Sequence, residues 1–286
     1  MDYSSLVEVA LDAARAAVAV HRRHLGQVRV EDWSEKGVAD FVSHVDRDAE
    51  AEIVARIRAA CPAHEILAEE AATAPGGAGS GAIRAAEWLW IVDPLDGTTN
   101  YLHGFPAFSA SIAVAHRGEL VAAAVVHGTT GQAFTATRGG GAFRDGEAIR
   151  VSRVEQLRLA SIGTGFPYRY VESIPAYLRQ IDAVMRHAGG VRRPGSAALD
   201  LCHVACGQYD AFWEQRLAPW DVAAGTLIVR EAGGLVTDLA GDPAAVLAGG
   251  AILAGNPALH AQLRSLLAGT ETPGAAPGYA AHTPLE

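Results

Sequence analysis

A chain of 286 residues, half of them apolar and 19% charged, is long enough for one large or two closely joined domains and too apolar to be disordered. Its 31 Gly and 13 Pro follow no G-X-Y period, which excludes collagen and low-complexity chains. Lys plus Arg number 23 against 32 Asp plus Glu, a net charge of −9, and no long basic run supplies the footprint of a nucleic-acid binder.

Leu6, Val9, Ala10, Ala13, Ala17 and Val20 recur at three- and four-residue steps, so residues 4–24 read as an opening helix that Gly26 ends. Asp2, Glu8, Asp12 and Arg15 interrupt that stretch, unlike the uncharged core of a secretory signal. A polar segment with Trp33, Lys36, Asp40 and Asp46 leads to a second helix over 45–60, with Ile53 and Ile57 on its buried side and Pro62 as its stop. Residues 65–68 read as a short strand, and 71–86, built around Pro75 and several glycines, as a flexible loop.

From Trp88 the pattern changes. Residues 88–92 are apolar without alternation, as in a strand covered on both faces. Strands follow over 109–116, 119–127 and 132–138, then a short hairpin at Asp145-Gly146. Beyond about 154, strands at 159–164, 209–213, 235–237 and 251–254 alternate with helices at 174–187, 196–206, 222–232 and 257–267. The expected fold is of the α+β or α/β class, with an antiparallel-sheet N-terminal half over 1–150 and an α/β C-terminal half over 151–268. The tail 269–286 reads as disordered. Apolar runs such as 120–126 are too short to span a bilayer. Cys61, Cys202 and Cys206 are odd in number and suit buried thiols; beside Cys202-His203 there is no second pair at zinc-site spacing. These features together lead to the expectation of a cytoplasmic protein.

The chemistry concentrates after the apolar strand. In Ile91-Val92-Asp93-Pro94-Leu95-Asp96-Gly97-Thr98-Thr99-Asn100, Pro94 cannot continue a ladder, and a second carboxylate arrives beside a glycine and two hydroxyls. Gly97 permits a sharp turn that aims backbone N–H groups outward, the arrangement that binds phosphate oxygens. Glu69 and Glu70 follow the strand at 65–68, and Asp221 opens a helix after Pro219-Trp220. Singly these are a solvated strand end and an N-cap. Together they suggest one acidic centre, and two carboxylates about 4 Å apart repel by ~4 kcal/mol at an effective dielectric near 20. A hard divalent cation, Mg2+ or Mn2+, offsets that repulsion with oxygen ligands alone.

The stretch from Trp90 to Asn100 resembles the first signature of the inositol monophosphatase family. Trp220-Asp221-Val222-Ala223-Ala224-Gly225, with Glu231-Ala232-Gly233-Gly234, resembles the second, and the similarity runs over roughly 5–268. It implies a layered αβαβα sandwich and a homodimer. It also implies that Glu69, Asp93, the Leu95 carbonyl, Asp96 and Asp221 hold two or three Mg2+ ions, with Asp93 bridging two of them. Asp46 resembles the buried carboxylate that hydrogen-bonds the catalytic threonine, here Thr98. Glu70 is a nearby acidic partner and Lys36 matches a lysine near the site. The residue before the Glu pair, commonly Gly in the family, is Ala68 here.

The mechanism so implied is attack by a metal-activated water between Glu69 and Thr98, with the N–H groups of Gly97 and Thr98 on the phosphate. The resemblance also implies that Asp96, Ala197 and Glu214 face the polyol, and Arg192 or Arg193 is available for a second phosphate, a carboxylate or a dimer partner. Gly163-Thr164-Gly165-Phe166-Pro167 is a candidate pocket wall, and His103 is given a structural role. The expected substrate is a small phosphorylated polyol, inositol monophosphate first, with lithium inhibition. Histidinol phosphate, fructose 1,6-bisphosphate and 3′-phosphoadenosine 5′-phosphate are alternative substrates within the same chemistry. A regulatory relative that binds RNA polymerase is the alternative outside it. No membrane or nucleic-acid partner is expected.

Overall fold

Hydrophobic residues of opposite parity on the same strands face different helix pairs, and this builds the layers. The structure, a computed structural model, describes residues 2–37, 40–73 and 86–270. The tail after Thr270 lies outside these residues, as does the Gly-rich segment from 74 to 85.

Helix α1 (Tyr3–His24) starts at Asp2, whose side chain accepts from Ser5 N at 2.9 Å. A hairpin of β1 (Ser34–Gly37) and β2 (Asp40–Val42) occupies the segment read only as polar. Helix α2 (His44–Ala60) is capped by Ser43, and Asp46 reaches back to the Ser43 N–H at 2.8 Å.

Seven strands then pair in chain order: β3 (Glu65–Ala68), β4 (Trp88–Asp96), β5 (Ser109–His116), β6 (Glu119–His127), β7 (Ala133–Thr137), β8 (Gly141–Arg144) and β9 (Glu147–Ala148). Strands β3 and β4 are parallel and the other pairs antiparallel. Two short helices lie at strand ends: α3 (Glu69–Thr73), where the flexible loop was expected to begin, and α4 (Thr98–Leu102). The expected strand at 88–92 in fact runs to Asp96. It does so across a bulge: Asp93 pairs with Ser111, but Asp96 pairs with Ser109, so one extra residue is accommodated around Pro94.

The second sheet has the order β11 (Gly190–Arg192), β10 (Ser161–Thr164), β12 (Ala211–Leu217), β14 (Gly250–Gly255), β13 (Leu235–Thr237). Its helices are α5 (Ile174–His187), α6 (Ala197–Ala205), α7 (Pro219–Glu231) and α8 (Pro257–Ala268). Strand β11 was not expected from the sequence. Strand β12 extends four residues past the expected 213, which places Glu214 within it rather than at its end.

Trp90, Val92, Ile112 and Val114 pack under α1 and α2 against Leu6, Ala13 and Ile53. Leu89, Ile91 and Val125 on the opposite face meet Leu199, Val222 and Leu227 of α6 and α7, and the same cluster continues into Phe212, Ile252 and Ala254 of the second sheet. That sheet's far face, with Ile162, Trp213 and Leu253, is covered by α5 and α8 through Tyr177, Val184 and Leu263. The layers therefore run αβαβα. Each large aliphatic side chain so buried contributes roughly 1.5–3 kcal/mol. No helix among the described residues is long and apolar enough to cross a membrane.

Candidate active site

Ala68 pairs with Val92 in the parallel β3–β4 ladder, so Glu69 and Asp93 leave the two strands side by side. Beyond them the β4 bulge turns the chain: Leu95 N–H donates to Asp93 Oδ1 at 3.0 Å. From the far side, His21 of α1 meets the Pro94 carbonyl through Nε2 at 2.9 Å. Gly97 has φ +86°, and a Cβ there would stand 2.8 Å from the Ala107 carbonyl. Only glycine fits both conditions.

Thr98 opens α4 with its hydroxyl held between two acceptors, Leu95 O at 2.9 Å and Asp46 Oδ1 at 3.0 Å. The other oxygen of Asp46 accepts from the Ser43 N–H and hydroxyl, each at 2.8 Å. The α2 cap thus fixes Asp46, and Asp46 fixes Thr98. Burial is the main cause that holds the Asp46 carboxyl above its usual range.

Asp96 is anchored from the other half of the chain. Its Oδ2 accepts from the Ser196 hydroxyl in a short bond, from Ala198 N–H at 3.1 Å and from Ser109 Oγ at 3.3 Å. Burial pushes Asp96 up to about 6 against the pull of the Ser196 bond. Asp221, in the first turn of α7, accepts from Ala218 N–H at 2.6 Å. Asp93 is raised well above the ordinary carboxylate range by burial, and then by the charges of Glu69, Asp96 and Asp221. Asp221 is raised by burial and then by Glu69 and Asp96. The four carboxylates therefore act on one another.

They line a cleft of about 450 Å³ together with Leu95, Gly97, Thr98, Ala197 and Glu214. Glu214 stands across it, pushed up to about 8 by burial, with Arg193 opposing the shift. Gly165, from the segment expected as a pocket wall, passes so close that a Cβ would overlap the Glu214 carboxyl. At the mouth, the Arg193 guanidinium lies 5.1 Å from the Phe166 ring and 5.2 Å from Tyr168.

Three of the remaining candidates, Glu70, Arg192 and His103, lie outside the cleft lining. Glu70 is not in the lining; its N–H donates to Glu50 at 2.8 Å, and its charge acts on Asp46. Arg192 is exposed on β11. Lys36 is on β1, and its side chain is outside the described residues. His103 packs edge-on against Trp33 at 5.2 Å.

Four residues here escaped sequence reasoning. Ser196 and Ser109 converge on Asp96. Asn100 Nδ2 lies within 2.7–3.1 Å of the carbonyls of Ala107, Pro194 and Gly195, and so ties the turn after β4 to the α6 entry. Asp200, fully buried on α6, is raised well above the usual range by burial and by Glu214 and Asp96. Asn100 sits inside the first signature, but the Pro194 and Gly195 carbonyls it meets are 94 and 95 residues away, and Ser196 is 100 residues from Asp96.

A mixed α/β sandwich of five layers, with a carboxylate-lined cleft where its two sheets' helices meet, defines the class. Residues 2–270 match the profile of the inositol monophosphatase family. An inositol-1-monophosphatase of Rhizobium meliloti is 42% identical over 267 residues, which cover 93% of this chain and 97% of that protein. A Pseudomonas aeruginosa protein named Nus factor SuhB is 44% identical over 253 residues, covering 88% and 91%. The crystal structure of the extragenic suppressor protein suhB from Bartonella henselae superposes with a TM-score of 0.83 at 38% identity, covering 92% of this chain and 98% of that one. The chain belongs to the inositol monophosphatase family, a family of metal-dependent phosphatases.

Proposed function

We propose that this phosphatase hydrolyses inositol monophosphates and related polyol phosphates with Mg2+ as its cofactor. One observation carries the reading: Glu69, Asp93, Asp96 and Asp221 converge in one cleft beside a threonine whose hydroxyl is held by a buried aspartate. The donor set fits the ion. It consists of carboxylates and the Leu95 carbonyl, without imidazole or thiol, and the charges acting most strongly on Asp93 are themselves negative.

Glu69, Asp93, Leu95 O, Asp96 and Asp221 would hold the ions, which supply charge compensation, a more acidic water and polarisation of the phosphoryl oxygens. Thr98 positions the nucleophile. Its own hydrogen is committed to Asp46 or Leu95 O, which leaves the Oγ1 lone pairs to accept from a water aligned by Glu69. Asp46, less acidic than usual, is suited to share the proton that passes through Thr98 Oγ1. The N–H groups of Gly97 and Thr98 hold the phosphate oxygens as charge builds on them. Ala197 leaves room for the ring, and Glu214 accepts from its hydroxyls.

Lithium inhibition, a homodimer and a cytoplasmic location complete this reading. A role of the kind the Pseudomonas relative's name states makes no demand on four clustered carboxylates, so the cleft favours catalysis. The test is phosphate release from inositol 1-phosphate, histidinol phosphate, fructose 1,6-bisphosphate and 3′-phosphoadenosine 5′-phosphate. Inositol 1-phosphate should give the highest kcat/KM. A tenfold preference for any of the others overturns the substrate assignment.

A further inference from the structure

The C-terminal end of α1 and the first turn of α2 come together on the surface, away from the cleft lining. His24 is the last residue of α1, His44 the first of α2, and Asp48 follows one turn later. The two imidazole rings are 5.2 Å apart, edge to face. One ligand-capable atom from each of the three side chains lies within 4.8 Å of the other two. Four residues of separation put His44 and Asp48 on one helical face, and His24 reaches them from the neighbouring helix. Among the described residues, no hydrogen bond or ion pair engages these three side chains.

We propose that His24, His44 and Asp48 form a separate binding site for a divalent transition ion of the zinc type. Two imidazoles and one carboxylate are a nitrogen-rich set that suits Zn2+ and disfavours Mg2+, the reverse of the all-oxygen cleft. A tetrahedral ion about 2.0–2.1 Å from each ligand separates the ligands by about 3.4 Å. Exposed His44 and Asp48 close that gap by small rotamer changes, and water takes the fourth position. The ion then clasps α1 to α2. Both helices already buttress the cleft, α1 through His21 on Pro94 O and α2 through Asp46 on Thr98.

The test titrates Zn2+ into the tag-free full chain at saturating Mg2+, which competes for any oxygen-rich site, by calorimetry and by thermal unfolding, with the variants as reference for Zn2+ bound elsewhere. Wild type should bind one Zn2+ per chain that His44→Ala and Asp48→Asn lose. Their affinity should fall by at least the ~10- to 100-fold that loss of even an outer-shell partner costs. Zn2+ should raise the Tm of wild type alone. Circular dichroism verifies that the variants fold, and binding is read without any activity assay, so the outcome is independent of the phosphatase reading. The same stoichiometry and Tm shift in wild type and both variants, or no Zn2+ bound by any of them, overturns the site.

Discussion

Asp93 faces three other carboxylates, so its ionised form is costly until a cation shares the charge. Asp93→Asn should therefore lose turnover and weaken Mg2+ binding together; unchanged Mg2+ affinity by calorimetry would contradict its role as a shared ligand. Thr98→Ala should fail differently, keeping most of the Mg2+ affinity while kcat falls ~10²-fold or more, the range for losing a positioned proton-transfer group. Assayed above pH 8, where its carboxyl is ionised, Glu214→Gln keeps size and loses a charged acceptor, and such bonds are worth ~1.5 to 3 kcal/mol. The expected result is a roughly tenfold or larger fall in kcat/KM for inositol 1-phosphate, with p-nitrophenyl phosphate much less affected. Equal loss on both would show that Glu214 supports the site rather than reads the polyol. At this scale the run from Asp93 to Thr98 was legible because its residues are adjacent in sequence. The Ser196 bond to Asp96 was not, since a serine a hundred residues away carries no mark of its partner.

Short elements position these side chains, and the caps matter more than their length suggests. Ser43 both caps α2 and donates to Asp46, so Ser43→Ala removes a cap and one hydrogen bond onto the carboxylate that holds Thr98. Loss of such a cap costs about 0.5–2 kcal/mol. Denaturant unfolding should report a loss in that range, together with lower kcat at unchanged Mg2+ affinity; unaltered stability and kcat would show that Asp46 needs no such support. Helix α1 was readable because it repeats its period several times, and β5 and β6 because each is a long run of small and apolar residues buried on both faces. The hairpin β1–β2, the five-residue helices α3 and α4, and the three-residue β11 were not. A single turn or three extended residues contain no period, and tertiary packing decides their form. Pro94 misled in a specific way: it interrupts the ladder, but the bulge lets β4 resume for Asp96.

The cleft belongs to the whole molecule, because Asp96 and Asn100 from the first sheet's side close onto Ser196, Ala198 and Pro194 from the second. Its charge has a pH signature. Asp96, at about 6, and Glu214, at about 8, hold protons more tightly when folded than their ordinary values of 3.8 and 4.5 allow. The metal-free fold therefore draws full stability from them below about pH 4 and loses it as pH rises through 6 to 8. His21 and His203, pushed down to about 4 by burial, contribute the opposite slope below their ordinary 6.5. The difference in Tm with and without Mg2+ isolates the carboxylates proposed to hold it. It should be small at pH 5 and grow towards pH 8, and a gain independent of pH would remove these carboxylates from Mg2+ binding.

That the carboxylate cleft is a Mg2+-dependent phosphomonoesterase centre is tested most directly by phosphate release from inositol 1-phosphate in dialysed protein, with excess chelator or with added Mg2+. Turnover should vanish in chelator and return with Mg2+, and Asp93→Asn should release no phosphate under either condition. Full turnover in excess chelator after dialysis would contradict the account.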